Sequence, residues 1–461
     1  MMRKNFKKTG LKGRAYKRKL AALFIAGMLT FTACGKAGEP NSPREVKNPI
    51  NTVQTSGTGV TAPKGNSVNL SATVTRGQVG ESTEAVEKEF IQNTANFAFE
   101  LMKLLIKENA GENVMISPDS IITALGMTEN GAGTTTLEEM RKILGGELTL
   151  EEYNKALSGF NKMLTDSSNV TFNSANSIWV RNTEEMEISK AFLQSVVDYY
   201  DSEFYIADFN NQTVDDINAW VNEKTNKMIP SVIDKLDEDN RMLLINAIAF
   251  EGEWAEQYEE GQVHEDRTFT NAKGETEKAV MLSSAESGLI TLKGGQGFRK
   301  SYRGGEFEFV AILPPEGVSA EEYIEGITGA EFIEAYNNKD FTPQIIANIP
   351  EFKYDYSTSL KNPLISMGMQ ESFTDTADFS GMLASGKRDL KIGDVIHKTH
   401  IELDRNGTKA AAVTAVVMDV CSAEPEVRET VTITLDRPFV YAIVNSGTGL
   451  PVFLGTVNSV E

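Results

Sequence analysis

Apolar residues recur at helical spacing near position 90. Val86, Phe90, Ile91, Phe97, Ala98, Leu101, Met102 and Leu105 predict one long amphipathic helix over 84–108, where the folded part is expected to begin. Ser117 followed by Pro118 reads as an N-cap with proline in the first helical position. Thr135 and Glu138 read as a capping box for a helix over 136–144, closed by Gly145 and Gly146. Further along, apolar runs at 170–180, 242–250, 308–313 and 344–349 predict strands, and helical patterns at 187–200 and 213–235 lie among them. Near the C-terminus two apolar runs, 439–444 and 450–455, flank Asn445-Ser-Gly-Thr-Gly449 and predict a hairpin of buried strands. Helices and strands mix without a regular βαβ rhythm, so the fold class is α+β.

One stretch fits neither pattern. Residues 407–427, GTKAAAVTAVVMDVCSAEPEV, open on a glycine and carry almost nothing large for nine residues. Read at period two, Thr408, Ala410, Ala412, Thr414, Val416 and Met418 are small or apolar throughout. The other set, Lys409, Ala411, Val413, Ala415, Val417 and Asp419, holds both charges. That is a strand with one face inward, slim enough to slide between two strands already close together. Beyond it, 422–427 holds Pro425 and polar residues, and suits an exposed loop. The segment reads as a loop that is also a latent strand.

The 461 residues carry a formal net charge of −20, and 40% of them are hydrophobic, enough for a sizeable core. Nine Lys and Arg fall within 1–33, with no Asp or Glu, so the remainder is more acidic still. That charge argues against nucleic acid as a partner. Arg3 to Lys19 form a basic region ahead of the apolar run 20–29, which is too short to span a bilayer comfortably and fits a secretory signal. It ends in Phe31-Thr-Ala-Cys34-Gly35, which looks like the lipobox of bacterial lipoproteins. Residues 1–33 are then expected to be a signal peptide and Cys34 the lipidated first residue of the mature chain. The protein would be anchored on the extracytoplasmic face of the membrane, held by several acyl chains. Residues 34–83, rich in Gly, Asn, Ser, Thr and Pro, are expected to be a flexible linker.

Catalytic signatures do not appear. There is no G-x-S-x-G elbow, G-x-G-x-x-G loop or P-loop. Of three histidines, His397 and His400 fall in a strand-like run, three apart, and are expected on opposite faces, unable to share a metal. No cofactor, metal or enzymatic activity is expected.

Dispersed motifs resemble those of the serpins. Asn113-Val-Met-Ile-Ser-Pro-Asp-Ser-Ile121 looks like the family's N-x-x-x-S-P-x-S-I, and Asn176-Ser-Ile-Trp-Val180 like its N-x-x-(W/F)-V strand start. Ile217-Asn-Ala-Trp-Val221 with Thr225, Leu244-Ile-Asn-Ala-Ile-Ala-Phe250 with Gly252 and Trp254, Asp436-Arg-Pro-Phe439, and Phe453-Leu-Gly455 follow in the family's order. Gly407-Thr-Lys-Ala-Ala-Ala412 is similar to its reactive-loop hinge. The resemblance covers residues 84–461. It implies a serpin domain with a large mixed central sheet, smaller sheets, about nine helices and an exposed reactive loop.

It also implies a function. A serpin inhibits a protease as a suicide substrate: the cut loop inserts into the main sheet while the protease remains attached as an acyl-enzyme. By the same resemblance Gly407, Thr408, Lys409, Ala410, Ala411 and Ala412 form the loop hinge. Ser117, Ser120, Asn246 and His397 form the shutter, where the sheet opens, and Trp254 marks the breach above it. Arg405 and Lys409 stand where the family often has Glu. The usual count from the hinge glycine puts the scissile bond at Cys421–Ser422, with Val420 or Met418 as alternatives. None of these is basic, so the implied target is an elastase-like or subtilisin-like serine protease, or a papain-like cysteine protease. A monomer is expected. Cys421, without a disulfide partner once Cys34 is lipidated, reads either as a small hydrophobe for the target's pocket or as an oxidation switch. The alternatives are a non-inhibitory serpin serving as a binding or scaffold module, and an extracytoplasmic hydrolase or solute-binding lipoprotein.

Overall fold

The computed structural model describes residues 54–55, 59–61, 67–183, 186–408 and 429–461. Nine α-helices occur among them: α1 Glu84–Glu108, α2 Pro118–Glu129, α3 Thr134–Leu144, α4 Leu150–Asp166, α5 Lys190–Tyr200, α6 Asn211–Lys224, α7 Ala320–Glu325, α8 Gly329–Asn337 and α9 Lys361–Met367. They combine with one seven-stranded sheet, one nine-stranded sheet and one small sheet, so the class is α+β. None of these helices is long and apolar enough to cross a membrane.

The seven-stranded sheet positions everything that follows. Its order is Phe352–Ser359, Ile392–Leu403, Gly407–Thr408, Met242–Glu253, Val170–Arg181, Glu203–Ala207 and Val68–Asn69. Strand 242–253 is buried on both faces over its first nine residues, as a run apolar but for Asn246 requires of a covered central strand. One face lies against α2, every residue of which is buried. The other carries a separate apolar layer in which Ile217 and Val221 of α6 meet Ala175, Trp179, Leu243 and Ile245. The C-terminal hairpin forms as expected, Phe439–Asn445 pairing antiparallel with Pro451–Val457 inside the nine-stranded sheet.

Three local expectations are corrected. The Thr135/Glu138 capping box does not form. Helix α3 starts two residues earlier, at Thr134 with Gly133 as its N-cap, and the Thr134 hydroxyl donates to Asp378 at 3.0 Å. The pattern at 213–235 is helical only to Lys224.

The linker is also shorter than expected. Val68–Asn69 pairs antiparallel with strand 203–207, Leu70 is fully buried, and its N–H donates to the Phe204 carbonyl at 2.8 Å. Residues 59–61 pair with Ile188–Ser189, and Val60 is also fully buried. Composition counts this stretch as polar. A sheet edge with unpaired backbone groups nevertheless takes up even two residues of extended chain. Cys34, the signal peptide and most of the proposed linker lie outside the described residues.

Candidate functional site: the shutter, the breach and the hinge

Strand 242–253 holds one polar residue in its buried run, Asn246. It is 0% exposed, so its amide needs partners. Register supplies them. Asn246 stands opposite Asn176 on the antiparallel neighbour and opposite His397 on the parallel one, so three polar side chains share one rung. Asn246 Nδ2 donates to Asn176 Oδ1 at 2.5 Å and also to Ser120 Oγ of α2. The Ser120 hydroxyl donates to Asn176 Oδ1 at 3.0 Å.

His397 completes the cluster. Its Nε2 accepts the backbone N–H of Ser117 at 3.2 Å, so the ring proton sits on Nδ1 and is donated to Asn246 Oδ1. Burial pushes its pKa from 6.5 down to about 3, which keeps the ring neutral. Ser117 does stand at the N-cap of α2, but its side chain makes no cap bond; its backbone N–H is what the site uses. Asn176 belongs to the cluster as fully as the four expected residues. Its place in a strand-start motif was the only sign, because its role depends on cross-strand register. His400 takes no part: its Nδ1 bonds Asp355 at 2.6 Å.

Strands 242–253 and 392–403 pair directly along Met242–Ala249 and Ile392–His400, then part. Gly407 and Thr408 enter the gap. Thr408 is in register with Gly252 on one side and Leu403 on the other, and Gly407 with Glu253. A glycine is required here: a Cβ at 407 would sit 2.1 Å from the Gly252 carbonyl oxygen. The turn into this short strand is fixed by Asp404, whose Oδ1 accepts the N–H of Asn406 at 2.6 Å and of Gly407 at 3.1 Å.

Trp254 stands beside the gap, 0% exposed. Its backbone N–H donates to Asn406 O and its indole Nε1–H to Asp404 O, both at 2.9 Å. Its ring stacks on Tyr302, centroids 4.6 Å apart and 13° between planes. Below the rings lies a buried cation, Lys300, held by Glu286 at 2.9 Å and 4.4 Å from the Tyr258 ring centre. The Arg405 N–H donates to Glu351 Oε1 at 3.2 Å. Burial raises the Glu351 pKa, and the nearby positive charge of Arg405 opposes that shift. A Glu at 405 would face Glu351 as a like charge, so the departure from the family's usual residue has a local reason. Sequence reasoning found Trp254 but not its partners Tyr302 and Lys300, nor Glu351 beneath Arg405.

The residues expected to form the shutter and the breach therefore lie on one sheet or packed against it, while of the expected hinge only Gly407 and Thr408 fall within the described residues. Lys409, Ala410, Ala411, Ala412, Cys421 and Ser422 lie outside the described residues.

Residues 92–460 match the family model described as serpin (serine protease inhibitor). The chain belongs to the serpin family. It is 31% identical over 372 residues to intracellular coagulation inhibitor 2 of Tachypleus tridentatus, covering 78% of this chain and 88% of that protein. Among solved structures, the thermophilic serpin tengpin in its native state superimposes with a TM-score of 0.79 at 41% identity, covering 86% of this chain and all of that one. Human thyroxine-binding globulin shares the fold at 23% identity and a TM-score of 0.72. The motifs quoted from the sequence thus fall in a serpin fold, with Asn246 and Trp254 on the central strand and just beyond its end.

Proposed function

We propose that this serpin inhibits its target as a suicide substrate, trapping a protease as a covalent acyl-enzyme by inserting the cut loop into its main sheet, and is not itself an enzyme. One observation carries the reading: Gly407 and Thr408 already occupy the space between strands 242–253 and 392–403 that the rest of the loop would fill. The inward alternation of small residues that follows Thr408 in the sequence fits continuation of the same strand. The Tachypleus relative, an intracellular coagulation inhibitor by name, supports it. The native state is then held by a barrier rather than by lowest free energy.

The target is a protease that accepts a small apolar residue at Cys421, elastase-like or subtilisin-like, with a papain-like cysteine protease as the second choice. The protein works as a monomer on the extracytoplasmic membrane face, tethered through Cys34. The test is to incubate the protein with a panel of serine and cysteine proteases and look for a complex that survives boiling in detergent. Cleavage without any such complex supports the other reading, a non-inhibitory binding module. The same experiment with Thr408→Arg is expected to give a plain substrate, because the charge enters a buried rung at a cost of several kcal/mol.

A further inference from the structure

Thr408 is fully buried, and its Oγ1 lies 2.6 Å from the hydroxyl of Tyr302, also fully buried. The two residues are 106 positions apart, and each hydroxyl is the other's hydrogen-bond partner. Tyr302 itself is rigidly placed. Its N–H donates to the Phe307 carbonyl at 3.0 Å, it bridges to Trp254, and its ring is stacked on Trp254 and set edge-on to Phe250 at 4.8 Å. The ring cannot follow the hinge if the hinge leaves. Withdrawing Thr408 would strand a tyrosine hydroxyl in an apolar, aromatic pocket, which is costly in a way that losing a surface hydrogen bond is not.

We propose that Tyr302 is a positioning residue for loop insertion: its hydroxyl latches Thr408 in the first rung of the sheet while the loop is still intact. The hinge is thereby a preformed nucleus. Once the loop is cut, the next residues extend a strand that already exists instead of opening the sheet from the top. Insertion competes with hydrolysis of the acyl-enzyme, so the latch shifts partition toward trapping. This last step rests on the insertion mechanism proposed above; the latch itself does not.

Tyr302→Phe keeps the ring and its stacking on Trp254 and removes only the hydroxyl. Thr408→Val removes the other partner at similar volume, and Thr408→Ser keeps a hydroxyl. Deuterium uptake by the peptide spanning 404–408 is measured on the full chain without protease. The expected result is uptake about fivefold faster in Tyr302→Phe and in Thr408→Val, the ratio that one buried hydrogen bond of ordinary net strength corresponds to. The double variant is expected to be no faster than either single, and Thr408→Ser to match the parent. Unchanged uptake in Tyr302→Phe, or effects that simply add in the double variant, overturns the latch. With a trapped protease in hand, Tyr302→Phe is expected to consume more inhibitor per protease trapped. Faster uptake with unchanged consumption overturns the role in partition. A parent that traps no protease removes the insertion mechanism, and the exchange data still decide the latch.

Discussion

Acid should loosen the shutter through one nitrogen. His397 Nε2 accepts the Ser117 N–H and is enclosed by protein, so protonating it replaces an acceptor with a donor facing a donor and buries a charge. The folded-state pKa is held near 3 against an ordinary 6.5. The unfolded chain therefore takes up the proton first as pH falls. The stabilisation is fully present above about pH 6.5, is lost progressively below it, and is gone by about pH 3. At pH 5 the gap is about 1.5 units of the unfolded titration, or roughly 2 kcal/mol. At the acid limit the full gap corresponds to roughly 5 kcal/mol. The assay is the midpoint of the first urea transition at pH 7.5, 6 and 5, for the parent and for His397→Gln, which does not titrate. Other groups titrate in this window in both proteins and cancel in the difference. The stability advantage of the parent should shrink by roughly 2 kcal/mol between pH 7.5 and 5. A difference that stays flat across that range would falsify the assignment of His397 as a buried neutral acceptor.

Two buried carboxyls act in the opposite sense. Asp119 and Glu129 of α2 are both raised to about 7, by burial in each case, with Arg141 at 3.5 Å opposing the shift at Glu129. The unfolded chain ionises them near pH 4, so stability is lost as pH rises from about 4 to 7, by roughly 4 kcal/mol for Asp119; Asp119→Asn should gain stability at pH 8 relative to pH 5, and an equal effect at both values refutes this. Cutting the loop within 418–424 should raise the melting temperature by roughly 10 °C, since about a dozen new ladder bonds give on the order of 10 kcal/mol; calorimetry showing equal melting of cut and intact protein argues for the non-inhibitory reading. Glu286→Ala should leave Lys300 charged and unpaired beneath Trp254 and cost about 3–5 kcal/mol in urea unfolding, whereas Glu286→Ala combined with Lys300→Met should recover most of it. No recovery in the double variant would mean that the pair is not the source of the loss.

What the chain determines by itself is whatever depends on neighbours a few residues apart. The spacing of Phe90, Phe97, Leu101 and Leu105 dictates α1, and all four are buried on it. The run from Met242 to Phe250, apolar but for Asn246, dictates a strand covered on both faces. The missing side chain of Gly407 admits a strand into a narrow gap, and the dispersed motifs locate Ser120, Asn246, His397 and Trp254. Tertiary structure decided what depends on register and on distant partners. Asn176 enters the shutter because two strands align it with Asn246, 70 positions away. Val68 becomes a strand because Glu203–Ala207 leaves an edge to pair with. The expected capping box gave way because Asp378, remote in sequence, ties down the start of α3 instead, accepting from the Gly133 N–H and the Thr134 hydroxyl and donating its own N–H to Thr136. Tyr302 has no local signal at all: its hydroxyl acquires a role only when Thr408 is folded against it. Periodicity is a property of adjacent turns and pleats, legible in any short window, whereas a buried hydrogen bond between remote residues exists only after the sheet has fixed which side chains face each other.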